Sequence, residues 1–304
     1  MPRLAAAVAT AMLGVGLAGA QVPRSRVFHA FAGSTPVIDG VVAPGEWADA
    51  WIWEGISDWD PQFAPVVAGA PIDLDARILV KRDAAALYFA FVVTDDVLYR
   101  AQTAPFLPGG NPSANNLTQQ GWPWFGDELE ILMNANRSWT STNETAAGID
   151  GRQWQMVVNA EKSRLGGIGV GGLLEGEPRA SDAAWANYNK WITSGAMRAA
   201  TRSAPGAGGY GGSAWVAEIA VNFDPCVELA EGVFYSPSAA NGTAVTVGFN
   251  IALGDVDEPS TSDKTFGLRH EMWLSGRTCA YMNCHTALAE FGELVLEPGP
   301  LPRV

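Results

Sequence analysis

The sequence predicts an all-β fold, an antiparallel sandwich or barrel with long loop insertions. Three observations predict it. Apolar residues recur with period 2 through most of the chain. No stretch carries three turns of amphipathic helix. Gly, Pro and Asn punctuate the alternating runs at short intervals. Alternation with period 2 marks a strand with one face toward a core, and many short strands separated by turn residues suit a sandwich or barrel.

The runs come in order. Ala76, Ile78 and Val80 alternate with Arg77, Leu79 and Lys81. Leu87, Phe89, Phe91 and Val93 alternate with Tyr88, Ala90 and Val92. Leu129, Ile131 and Met133 alternate with Glu128, Glu130 and Asn134. Trp154, Met156 and Val158 follow, then Trp215, Ala217, Ile219 and Val221, then Val245, Val247, Phe249 and Ile251. The closing run is FGELVLE, residues 291–297. Between them, residues 101–123 and 202–213 have loop composition, as does most of 164–190, with a short helix expected at 181–189. Long loops on a compact β scaffold commonly carry function. No internal repeat or linker divides residues 21–304, which read as a single domain.

The first residues read as an export signal. Arg3 supplies a positive start, Leu4–Leu17 an apolar run, and Ala18-Gly19-Ala20 a small-residue cleavage site before Gln21. Residues 1–20 are therefore set aside as a secretory signal peptide, and the protein is expected outside the cytoplasm, secreted or periplasmic. No later stretch holds the roughly 18 uninterrupted apolar residues that a spanning helix needs, so no membrane span is expected. In an oxidising compartment Cys279 and Cys284 form a local disulfide and leave Cys226 over; the alternative is three free thiols. The sequons at Asn116, Asn136, Asn143 and Asn241 fall in loop-like stretches. A net charge of −13 repels phosphate backbones and excludes nucleic acid as the expected partner.

Six segments, taken in order, carry a resemblance. They are PVIDGVVAPGEWADA (36–50), ILVKRDAAALYFAFVVTDDVL (78–98), WFGDELEILMNAN (124–136), SAWVAEIAVNF (213–223), VGFNIALGDVDE (247–258) and FGELVLE (291–297). Together they resemble the family 9 carbohydrate-binding modules and their DOMON-related relatives. The first resembles that family's opening strand and turn. The resemblance implies a jelly-roll-type β-sandwich that binds a polysaccharide or oligosaccharide without catalysing its cleavage. It also implies association with a glycoside hydrolase in polysaccharide degradation.

The resemblance distributes roles. Trp124 takes the place of a tryptophan that stacks on a sugar ring, for which a flat indole face with a free N–H is well suited. Glu130 takes that of a glutamate binding sugar hydroxyls; alternation sends it to the face opposite Leu129 and Ile131, and charge-assisted bonds are the stronger kind. Gln155 falls at a polar sugar contact, and Arg269 and Asn283 where later loops supply an Arg and an Asn. The typical second tryptophan before the final FG is missing from residues 276–292. Tyr281 is the nearest aromatic substitute there, and Trp122 is another. Asp127 opens its strand as a turn cap or as a ligand for structural Ca²⁺; Asp95 with Asp96, and Asp255 with Asp257, invite the same calcium reading.

Other chemistries fit less well. There is no G-x-S-x-G and no H-E-x-x-H, and only three histidines, His29, His270 and His285. Alternation turns Asp127 away from Glu128 and Glu130, and the resemblance assigns these acids binding rather than a glycosidase's chemistry. No catalytic constellation is found. Two alternatives stand beside sugar binding. One is an adhesion or structural sandwich that has lost it. The other is a haem-binding redox module of the same superfamily. For the latter, Cys279, Cys284 and His285 form a stretched version of the C-x-x-C-H attachment motif, with Met272, Met282 and His270 as axial candidates.

Overall fold

A computed structural model describes residues 26–57, 59–62, 74–95, 127–134, 153–159, 197–205, 213–222, 242–258, 268–274 and 292–302. Every regular element among them is a strand. In chain order these are β1 (Val27–Ala32), β2 (Trp51–Glu54), β3 (Asp60–Gln62), β4 (Asp75–Arg82), β5 (Ala86–Asp95) and β6 (Glu128–Asn134). They continue as β7 (Gln153–Asn159), β8 (Met197–Pro205), β9 (Ser213–Asn222), β10 (Val245–Glu258), β11 (Leu268–Trp273) and β12 (Gly292–Leu296).

The strands build the two layers of a β-sandwich. In one layer the long β10 is central: β6 pairs along one side, followed by β7, while β12 and β11 share the other, with β3 beyond β11. The second layer runs β8, β9, β5, β4, with β2 beyond β4. Pairing is antiparallel throughout except at β1. That strand lies parallel to β12 through Val27–Ala30, then parallel to β4 through Phe31 and Ala32. It thus passes from one layer to the other and joins them along one flank.

Alternation places the core. Ile78 and Val80, Phe89 and Phe91, Leu129 and Ile131, Ala217 and Ile219, Phe249 and Ile251 all point between the layers and are fully buried. Phe249 stacks on Phe89 across the gap, with ring centroids 5.7 Å apart and planes 5° from parallel. Phe28 meets Phe249 edge-on at 5.2 Å.

The opening PVIDGVVAPGEWADA segment departs from expectation. It contributes no strand; it forms turns and an irregular strap that crosses the outer face of the second layer. Trp47 and Ala50 pack there on Leu79, Tyr88, Ala90, Val92, Val216 and Ala220. This is why both faces of β5 are apolar. Glu218, fully buried on β9, accepts hydrogen bonds from the amides of Asp39 (3.0 Å), Gly40 (2.8 Å) and Val41 (3.2 Å) and from the Trp47 indole (2.9 Å). Gly40 reaches this position with φ of 81°, and a Cβ there would sit 3.1 Å from that of Arg202. Both constraints call for glycine. Lys81, also fully buried, donates to Asp49 (2.8 Å), Ser34 Oγ (3.2 Å) and the Glu46 carbonyl, under the face of Trp47.

Burial raises the affinity of Asp49 for a proton, but the bonds from Lys81 and Ser34 outweigh it and hold the carboxyl below its usual range. Asp83, which accepts from Thr35 and Tyr88, is held low in the same way. Stability from both is present above the ordinary carboxylate range and is lost as pH falls through their depressed values.

The loop expected over 202–213 is shorter than its composition suggests, since residues 202–205 complete β8 and Ser213 begins β9. Register, rather than composition, decides this: Arg202 pairs with Val216 and Pro205 with Ser213 at the sheet edge, where a proline is tolerated.

The seam between β1 and β12 yields a test. A Cβ on Gly292 would lie 2.5 Å from the Arg26 carbonyl oxygen, which accepts the Glu293 amide at 2.9 Å. Backbone cannot swing aside as a side-chain tip can. Gly292→Ala is expected to cost about 1–3 kcal/mol, the range for overpacking, measured as a shift of the urea midpoint. An unchanged midpoint would show that the seam yields freely.

Candidate functional site

The WPWFGDELEILMNAN stretch is described from Asp127 onward. Trp122 and Trp124 lie outside the described residues, as do Tyr281, Asn283, Cys226, Cys279, Cys284 and His285. The signal peptide, the sequon asparagines and the expected helix at 181–189 lie outside them too.

Asp127 leads into β6 and is fully buried. It has the parity of Leu129 and Ile131, so it faces between the layers. Asp255 shares parity with Ile251 and Leu253 on β10, and Asp95 with Phe91 and Val93 on β5. All three therefore converge where one end of the core is closed by acids instead of hydrocarbon. Their relative exposures are 0%, 0% and 2%, and one carboxylate oxygen from each lies within 4.8 Å of the others. Two acids come from the first layer and one from the second.

Three buried carboxylates at this spacing repel one another, and a bound cation would offset that repulsion. The donor set fits a hard cation. Ca²⁺ takes oxygen ligands at about 2.3–2.6 Å, so ligands on opposite sides of one ion stand roughly 4.6–5.2 Å apart, which matches the cluster. Bound there, an ion would tie the two layers together. Of the acids that invite a calcium reading in pairs along the sequence, Asp95 and Asp255 belong to the cluster, while Asp96 lies outside the described residues and Asp257 is described by its backbone alone.

The opposite face of β6 carries Glu128, Glu130 and Leu132. Alternation predicts that separation, and it holds. Glu130 is nonetheless only 6% exposed, and Glu128, Leu132 and Asn250 are fully buried. Glu128 lies across Gly254, where a Cβ would come within 2.9 Å of its Cγ. The absent side chain at residue 254 makes room for that acid.

Register places the remaining candidates. Gln155 pairs with Leu132, diagonally across from Glu130 on the neighbouring strand, so those two share one part of the sheet. Arg269 pairs with Val256 on the far side of β10. Residue 273 of β11 is level with Glu130 across β10, and Arg269 is four positions further along, about 13 Å along the strand and two strand spacings across from Glu130. The structure therefore brings Gln155 toward Glu130 and leaves Arg269 apart. Trp273 itself falls in one row with Ala252, Glu130 and Val157. Sequence reasoning passes over it, because β11 shows no clean alternation.

No family model matches this chain, and no curated protein does. Among solved structures, the chain is similar to a family 9 carbohydrate-binding module from Caldicellulosiruptor kristjanssonii in complex with cellotriose. Identity is 18%, the TM-score 0.48, and the match covers 91% of this chain and 99% of the other. A family 9 module from the same organism in complex with glucose matches at 15% identity and a TM-score of 0.48, over 91% of this chain and 98% of the other. Among the described residues no helix is long and apolar enough to cross a membrane.

Proposed function

We propose that this protein is an exported, non-catalytic carbohydrate-binding protein that recognises a polysaccharide or oligosaccharide. The observation that carries the reading is the stretch from Trp124 to Glu130. It joins an aromatic capable of stacking on a sugar ring to an acid capable of accepting hydroxyls, and runs directly into β6 of the sandwich. Gln155 supports it as a neighbour of Glu130 in register. Trp122, Tyr281, Asn283 and Arg269 are secondary contributors in the same reading. Any part in polysaccharide breakdown would run through a partner glycoside hydrolase.

A structural Ca²⁺ at Asp95, Asp127 and Asp255 belongs to this proposal. Asp127 stands three residues after Trp124 in the sequence, so an ion held there would anchor the chain close to that tryptophan. The ion would act on structure and placement. The chain's own side chains would make the sugar contacts.

One observation favours a second reading, a structural or adhesion sandwich without sugar binding: Glu130 is buried. Retention on insoluble polysaccharide separates the two. The sugar-binding reading expects the wild-type protein to be retarded on a cellulose or xylan column and Trp124→Ala to elute with the void. Elution of both in the void from a panel of polysaccharides would favour the structural module.

A further inference from the structure

We infer that the strap of residues 34–50 is a latch that opens as a unit while the sandwich beneath it stays folded, with Glu218 as its catch. Three observations support this.

First, the strap adds no strand to either layer. Among the described residues no backbone–backbone hydrogen bond joins residues 34–50 to a sheet; those within it are local, such as Glu46 to Ala43 (3.0 Å) and Ala50 to Trp47 (3.1 Å). Its polar attachments are side-chain bonds converging on Glu218, Lys81 and Asp83. Second, its apolar attachments form a cluster of their own. Trp47, Ala50, Ile38 and Val42 pack on outward residues of β4, β5 and β9, and none of that cluster belongs to the core between the layers. Lifting the strap removes nothing from the interior.

Third, the closed state buries two charges. Lys81 and Glu218 are each fully buried under the strap, and opening returns both to water. That rehydration offsets part of the cost of exposing the apolar surface beneath the strap. Burial pushes the Glu218 carboxyl up, against the pull of the Asp39, Trp47 and Gly40 donors, which is the signature of a charge held in a costly place. The apolar surface of the strap is already partly outside, with Val37 56% and Val41 39% exposed. Limited apolar burial, no ladder and a distinct small core are the conditions for local opening below the global limit. The uncovered surface would present Leu79, Tyr88, Val92 and Val216 together with Lys81 and Glu218, on the layer remote from β6.

Native-state hydrogen exchange in low denaturant tests this on the whole protein. The amides of Asp39, Gly40 and Val41, which bind Glu218, are compared with those of Phe89 and Phe91 in β5. The expected result is exchange about 100-fold or more faster in the strap, with a shallower denaturant dependence that merges with the β5 amides near the unfolding midpoint. Glu218→Gln is expected to speed strap exchange by about tenfold or more, because a charged acceptor is removed, with the strap still faster than β5. Should that variant not fold, Trp47→Phe, which removes the indole donor along with part of the ring, carries the same comparison. Strap and β5 amides sharing one rate and one denaturant slope in the wild-type protein would overturn the inference.

Discussion

Stripping calcium from the protein is expected to lower its melting temperature by about 8–16 °C. The effect originates in the buried acids Asp95, Asp127 and Asp255. An ion bound only by the folded state adds about 4 kcal/mol when present at a thousandfold excess over its Kd. For a domain of this general size each kcal/mol is worth about 2–4 °C. Chelation also restores the mutual repulsion of three closely spaced carboxylates, which adds to the loss. Scanning calorimetry with and without EDTA reads the first effect. Asp255→Asn and Asp127→Asn should melt low and respond little to either calcium or EDTA. A wild-type protein that melts at one temperature in both buffers would show that the acids settle their charge without a metal.

Phe249→Ala is expected to cost about 3–5 kcal/mol, the range for deleting a large aromatic from a packed core. Phe249 is fully buried, stacks on Phe89 of the opposite layer and meets Phe28 of β1. It therefore touches both layers and the strand that joins them. Three elements cannot close together on a missing ring, so a cavity remains and the cost falls toward the upper part of that range. Phe249→Leu refills much of the volume and should recover most of the loss. Urea unfolding of the two variants beside wild type checks the order. A cost for Phe249→Ala under about 1 kcal/mol would mean that the layers collapse to fill the space.

Much of the sandwich is legible in the sequence because half-buried strands announce themselves by period. The runs at Ala76–Val80, Leu87–Val93, Leu129–Met133, Trp154–Val158, Trp215–Val221 and Val245–Ile251 all fall inside observed strands. The strands that escape sequence reasoning lack that signal. Met197–Pro205 is built of Ala, Arg, Ser and Thr at a sheet edge, with little apolar alternation to show. Trp51–Glu54 is only four residues long. Asp60–Gln62 holds a proline. The IDG segment suggests strand and turn because its valines and isoleucine favour strands; its actual fixing comes from Glu218, 178 residues beyond Gly40, which no local pattern reports. The three clustered aspartates are each visible as acids at a strand end. Their meeting is not, because it depends on how two layers are superposed. The burial of Glu130 is invisible for a related reason: alternation says which face a side chain takes, and not what covers that face.

Sugar binding through the Trp124–Glu130 stretch is the central claim, and isothermal titration with short oligosaccharides tests it most directly. The protein is titrated with cello-, xylo- and other oligosaccharides in calcium-containing buffer, beside folded Trp124→Ala and Glu130→Gln. Saturable heat with at least one sugar is predicted, abolished in Trp124→Ala and weakened by about tenfold or more in Glu130→Gln, as expected when a charged acceptor is removed. Absence of heat with every sugar, or heat that survives intact in Trp124→Ala, would contradict it.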